Sequence, residues 1–163
     1  MHHVPPNRKL PDQIFFVTTV LEPRQPRFAN PRAAQIVLDS FQFFRARREG
    51  KLYGFVIMPD HLHFIVKPLA PQTLPNLMRR LKSHVAHELD EGIIWEKSYY
   101  SEIMTSKSLF YQKLRYTHDN PPRAGLTLDD VSYPWSSASQ YASAAPSDSI
   151  DSFTGIDNIP DPD

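Results

Sequence analysis

Cysteine is absent from this chain of 163 residues. Its absence excludes disulfides, thiolate nucleophiles and thiolate-bound metals, and fits a reducing compartment, so the cytoplasm is the expected location. No run of 18 apolar residues occurs either, so no transmembrane helix is expected. The opening Met1-His2-His3-Val4-Pro5-Pro6 lacks the apolar core of a secretory signal. An excess of either charge is also missing, because 18 Lys and Arg balance 18 Asp and Glu. Taken whole, that balance speaks against a polyanionic partner. Its distribution changes the reading: residues 146–163 hold five Asp and no Lys or Arg, which leaves 18 basic against 13 acidic side chains, a surplus of +5, on residues 1–145. A modestly basic body with an acidic tail is compatible with phosphate binding, and equally with a plain solvated tail.

What is present describes a globular protein. At 40% hydrophobic and 12% aromatic the chain can build a core. The expected organisation is one domain over residues 1–145, then a mobile Ser, Asp and Pro-rich tail over 146–163. Residues 1–11 are Pro-rich and read as irregular. Gln13 to Val20 is β-branched and aromatic and predicts a strand. Pro31 opens a helix with Asn30 as its N-cap and Gly50 as its end. Leu52 to Met58 and His61 to Lys67 predict two strands joined by a tight Pro59-Asp60 turn. Leu69 to Pro75 reads as a loop and Asn76 to Glu91 as a second helix, stopped at Gly92. Short strands are expected at Ile93 to Trp95 and Tyr99 to Met104. A third helix runs from a Ser106 cap to Asn120, with Pro121-Pro122 ending it, and a short helix covers Ser136 to Ala142. No internal repeat occurs. The order predicts an α+β domain, an antiparallel sheet with helices on one face, and the β-α-β-β-α-β ferredoxin-like (RRM-like) arrangement is its simplest form.

The candidate chemistry begins at Met58-Pro59-Asp60-His61-Leu62-His63. Side chains two apart in a strand share a face, so His61 and His63 project together, and two neutral imidazoles are half of a divalent-metal site. Alone, the pair is equally a partly buried strand with polar ends. Support comes from Tyr116-Thr117-His118-Asp119-Asn120-Pro121. Four residues apart on a helix, Tyr116 and Asn120 share a face. The Asn120 amide oxygen is a hard donor suited to Mg²⁺ or Mn²⁺, and an ion so held can polarise a phosphate beside which Tyr116 would stand as nucleophile. The competing reading makes Tyr116 a core aromatic of an amphipathic helix.

These motifs resemble the single-tyrosine HUH transposases of the IS200-like group, and within them the REP-associated tyrosine transposases. The resemblance spans residues 10–143. It rests on Tyr53-Gly54-Phe55-Val56-Ile57-Met58-Pro59-Asp60-His61-Leu62-His63, on Tyr116-Thr117-His118-Asp119-Asn120-Pro121-Pro122-Arg123-Ala124-Gly125-Leu126, and on Tyr133-Pro134-Trp135-Ser136-Ser137. It implies a metal-dependent transposase that cleaves and rejoins single-stranded DNA. His61 and His63 would hold Mg²⁺ or Mn²⁺, with Asn120 as third ligand where related enzymes often carry Gln. Tyr116 would attack the strand, leaving a 5′-phosphotyrosine and a free 3′-hydroxyl. The DNA implied is a palindromic hairpin with a short flanking guide. Asp60 departs from the pattern, which more usually has Asn there. It is either a turn residue or an influence on metal preference.

Other residues were weighed against this set. Tyr111 has Arg115 as its i+4 neighbour, which binds no metal, and Tyr99 and Tyr100 have no ligand nearby in sequence. His84, His87 and Glu88 read as surface residues. His118 points to a different helix face from Tyr116 and is left as a DNA contact at most. Among the basic clusters, Lys82 and Arg115 are the expected DNA contacts. Phe15, Phe16 and Tyr53 could stack on bases but read better as core. Two other activities fit the same residues: a domesticated module that binds hairpin DNA without strand transfer, and a metal-dependent nuclease that uses water. A monomer is expected in preference to a homodimer.

Overall fold

The β-branched and aromatic run at the start of the domain becomes the inner strand β1 (Phe15–Val20). In the computed structural model of the chain, residues 13–90, 92, 95–143 and 149–153 are described. The Pro-rich start and Ile93 and Ile94 of the expected short strand lie outside those residues, while the second helix ends at Leu89, with Asp90 left-handed (φ 45°) as its C-cap, short of the expected Glu91; Trp95 makes a single antiparallel bridge to Leu21. Helix α1 (Pro31–Ala46) starts as expected, with Asn30 Oδ1 accepting from Arg32 N at 2.9 Å. It does not end at Gly50. Arg48 takes the left-handed conformation (φ 56°), and Gly50 is already the first residue of β2 (Gly50–Met58). The Pro59-Asp60 turn leads into β3 (His61–Pro68). Helix α2 (Leu74–Leu89) begins two residues before the predicted start. Thr73 caps it and Pro75 occupies the first turn, where its missing N–H costs nothing. Strand β4 (Tyr100–Ile103) and helix α3 (Lys107–Arg123) follow, with Ser106 Oγ accepting from Leu109 N at 3.0 Å.

The sheet order β2-β3-β1-β4, antiparallel throughout, is the ferredoxin-like α+β arrangement. The helices are not confined to one face. Val17, Leu62, Phe64 and Val66 point to α1 and α2, in a core with Phe41, Phe55, Leu77 and Leu81. Phe16 and Ile65 point the other way, to Phe110 and Leu114 of α3. His61 and His63 share this second face by the strand period of two. A slip of one residue in β3 would drive His63 into the α1–α2 core in place of Phe64, so burial of the apolar face fixes the side on which the histidines stand.

Two features set the position of α3. Gly54 lets the helix approach β2, since a Cβ there would lie 2.5 Å from Leu114 Cδ1. Pro121 and Pro122 do not end the helix. Lacking N–H groups they cannot bond back to Thr117 and His118, yet their φ suits a helix. The carbonyls of Asn120, Pro121 and Pro122 accept from Ala124 N, Leu126 N and Gly125 N at 2.9, 3.0 and 3.1 Å.

The C-terminal segments close the free edge of β2. Ile57 N donates to Trp135 O, and Tyr133 Oη donates to Ile57 O at 2.6 Å. Phe55 pairs with Ser137 through both N–H and carbonyl. Tyr141 Oη donates to Tyr53 O. Leu52 N donates to Asp151 Oδ2 at 2.8 Å, and Asp151 N returns a bond to Leu52 O. Residues 135–137 serve this edge, so the last helix, α4 (Ala138–Ala142), is shorter than predicted. From the acidic tail, Asp151 pairs with Arg45 of α1 at 2.9 Å and Phe153 stacks on Phe110 of α3, ring centroids 3.9 Å apart. An edge so covered offers no template for strand addition.

Candidate functional site

The sheet face under α3 gathers the residues singled out in the sequence. His61 and His63 lie edge to face with ring centroids 4.7 Å apart. The Tyr116 ring packs against His63 at 5.3 Å and against Phe16 at 5.9 Å, while the residue stays 41% exposed. Asn120, one turn along α3, lies close enough to the His63 side chain for its amide to bear on the imidazole's pKa. Its Nδ2 donates to Tyr116 O at 2.7 Å. That bond commits the amide NH₂ to the helix backbone and leaves the amide oxygen as the group available for an ion.

Each imidazole is held through Nδ1. His63 Nδ1 meets Thr18 Oγ1 at 2.8 Å across the β1–β3 register, and His61 Nδ1 meets Asp60 Oδ1 at 2.6 Å. Such outer contacts orient metal-ligating histidines and leave Nε2 for the ion. Burial, then the neighbouring His61, pushes the His63 pKa down to about 3 against the Asn120 amide, so the ring is neutral near pH 7. Burial alone would raise the Asp60 carboxyl. The His61 and Arg24 contacts outweigh it and hold the group below the usual carboxylate range. No group of three His, Cys, Asp or Glu suited to a metal occurs among the described residues. The third donor here is an amide, and two oriented imidazoles with one amide oxygen fit a divalent ion that keeps open positions.

The surroundings add two basic residues, Arg24, which the sequence did not single out, and Lys113, which it placed only within a basic cluster on the third helix. Arg24 Nε donates to Asp60 Oδ2 at 3.2 Å. Lys113, one turn before Tyr116, has its ammonium 5.1 Å from the Phe16 ring centroid and 5.8 Å from that of Tyr116, and pairs with Glu102 at 3.1 Å. Thr18 carried no signal, because only the strand register puts it beside His63.

Other sequence candidates stand elsewhere. Lys82 lies on α2, across the sheet from the histidines. Its Nζ donates to Glu96 O at 2.9 Å, and burial lowers its pKa against the charge of Glu96. Arg115 is exposed, next to Tyr116 in the chain. His118 is not a surface group: it is buried, with Nε2 2.8 Å from Ser137 Oγ. Phe16 and Tyr53 are buried in the α3-side core, and Phe15 packs partly buried on the opposite one. His84 reaches Ser40 Oγ at 2.6 Å, and His87 is exposed.

A ferredoxin-like sheet with a His-x-His strand and a tyrosine on the helix crossing it defines a class of DNA-processing enzymes, and the comparisons agree. Residues 14–118 match the family model described as "Transposase IS200 like", a span that contains His61, His63 and Tyr116 but stops short of Asn120. The chain belongs to this family and is a transposase. A solved structure described as a REP-associated tyrosine transposase bound to a REP hairpin is 16% identical, with a TM-score of 0.76 over 97% of this chain and 99% of that one. A putative transposase from Deinococcus radiodurans R1 is also 16% identical, with a TM-score of 0.51 over 69% of this chain and 95% of that one. At that identity both show the fold. No curated protein sequence matches the chain. No helix among the described residues is long and apolar enough to cross a membrane.

Proposed function

We propose that this transposase cleaves and rejoins single-stranded DNA beside a hairpin, through a covalent 5′-phosphotyrosine at Tyr116, with Mg²⁺ or Mn²⁺ held by His61, His63 and Asn120. The observation that carries the reading is the convergence of the Tyr116 ring and the Asn120 amide on His63. A bound divalent ion would polarise the phosphate and offset charge in the transition state. The rest falls to the chain. Tyr116 Oη forms the new bond to phosphorus and gives its proton to solvent. The bond from phosphorus to the 3′ oxygen breaks, and that oxygen keeps the electron pair and takes up a proton. Rejoining is the reverse: a 3′-hydroxyl attacks the phosphotyrosine and Tyr116 leaves as a phenol. Phenolate leaves more readily than an alkoxide, so the covalent bond keeps the energy for ligation. The structural relative in complex with a REP hairpin supports a hairpin as the DNA.

The test is an adduct assay on labelled hairpin DNA with single-stranded flanks, read on a denaturing gel. The expected result is a protein–DNA band that needs Mg²⁺ or Mn²⁺ and disappears in Tyr116→Phe. Cleavage without adduct that survives Tyr116→Phe would mean a water-using nuclease. Binding without cleavage under either metal would mean a binding module.

A further inference from the structure

Beside His61 a groove of about 570 Å³ opens between the loop after β1, the β2–β3 turn and the end of α3. Its lining is mostly apolar, from Pro26, Met58, Pro59, Ala124 and Leu126, with the Asp60 carboxylate also on it. Leu126 is 46% exposed, so its side chain is accessible to a ligand in the groove. Arg24 stands at the rim, its side chain 58% exposed, tethered through Nε to Asp60. The terminal nitrogens of that guanidinium are not committed. Nη2 lies 3.4 Å from His61 Nδ1, but Asp60 Oδ1 lies 2.6 Å from the same nitrogen. A proton on Nδ1 that serves Asp60 leaves nothing there for Arg24 to donate to. Arg24 is therefore a guanidinium anchored at one edge, with its outward donors open, next to the residues read as metal ligands.

We propose that this groove is a nucleotide subsite that takes one unpaired nucleotide of the DNA strand, the one adjoining the phosphate at His61 and His63. The base lies on the Met58, Pro59 and Leu126 wall, and the outward nitrogens of Arg24 meet the adjoining backbone phosphate. Three observations favour this occupant: the groove is continuous with His61, the Arg24 guanidinium at its rim is paired with Asp60 through Nε alone and turns its other edge to phosphate oxygens, and its apolar lining suits the flat face of a base. The subsite rests on the proposed strand-cleaving role for its place in the reaction, but its occupancy is measurable without cleavage.

The experiment uses the full chain carrying Tyr116→Phe, so that no adduct forms, and measures fluorescence anisotropy with two labelled probes. One is a single-stranded 20-mer of randomised sequence; the other is a 20-mer made only of abasic residues, which offers phosphates without bases. Adding Ala124→Trp, which fills the groove from its exposed rim, is expected to weaken the first probe about tenfold and leave the second within twofold. Adding Arg24→Gln is expected to weaken both about tenfold. Leu126→Ser, which thins the wall without blocking it, should weaken only the base-bearing probe. If Ala124→Trp affects both probes equally, or neither Ala124→Trp nor Arg24→Gln changes binding, the subsite is overturned. These outcomes are separate from those of the adduct assay on the chain with Tyr116 intact, which decides the strand-transfer reading.

Discussion

The Asp60 carboxylate holds the His61 ring by one oxygen, 2.6 Å from Nδ1, and Arg24 by the other, 3.2 Å from Nε. The turn residue that departs from the family pattern is thus the support of a proposed metal ligand. An outer partner of this kind typically accounts for tenfold to a hundredfold in metal affinity. Asp60→Ala should weaken Mn²⁺ binding by about that range in isothermal titration. Asp60→Asn keeps an oxygen to accept from Nδ1–H and should lose much less. Equal affinity in all three proteins would show that His61 needs no such support.

The bare Cα of Gly54 leaves the space that Leu114 of α3 fills against the sheet. A methyl group at Gly54 must displace Leu114 Cδ1, 2.5 Å away, inside a packed cluster. Gly54→Ala should cost about 1–3 kcal/mol in denaturant unfolding, the usual penalty for overpacking. The cost should shrink in a Leu114→Ala background, where the space exists. An additive double variant would mean that the two side chains do not compete. Because α3 carries Tyr116 and Asn120, the single variant should also lower adduct formation more than its stability loss explains.

Local pattern made most of this architecture legible. The period of two in β3 placed His61 and His63 on one face, and the i, i+4 spacing paired Tyr116 with Asn120. What stayed hidden depends on partners remote in sequence. Nothing near Thr18 announces that the β1–β3 register sets it against His63. The side of the sheet that α3 covers follows from Phe110 and Leu114 packing on Ile65 and Tyr53, long-range contacts that a helix period does not encode. His118 reads from sequence as a DNA contact at most, because its buried partner, Ser137, lies 19 residues further on. The two prolines misled for a different reason. Proline ends a helix when the next turn has no other support, and here the following residues bond back to the last carbonyls. Lys82 and Arg115 carry only their charge as a signal in the sequence, and charge does not say on which side of the sheet a lysine stands.

Tyr133 links the β2 edge to alkaline stability. Its hydroxyl donates to Ile57 O at 2.6 Å, and burial raises its pKa to about 12 from an ordinary value near 10. A raised pKa for an acid means that the folded state keeps a proton the unfolded chain has released. The stabilisation is therefore complete below pH 10 and is lost as the pH rises from 10 to 12. Two pH units correspond to at most about 2.7 kcal/mol, and partial solvent access reduces that to roughly 1–2 kcal/mol. Tyr133→Phe should be about 1 kcal/mol less stable than the parent at pH 8, because Ile57 O loses its donor. Between pH 10 and 12 its stability should fall less steeply, since the titrating group is gone. Urea midpoints at pH 8, 10 and 11.5 measure both effects. Parallel decline of the two proteins above pH 10 would assign the alkaline loss to groups other than Tyr133, with Tyr141, whose hydroxyl serves the same edge at Tyr53 O, the next to replace.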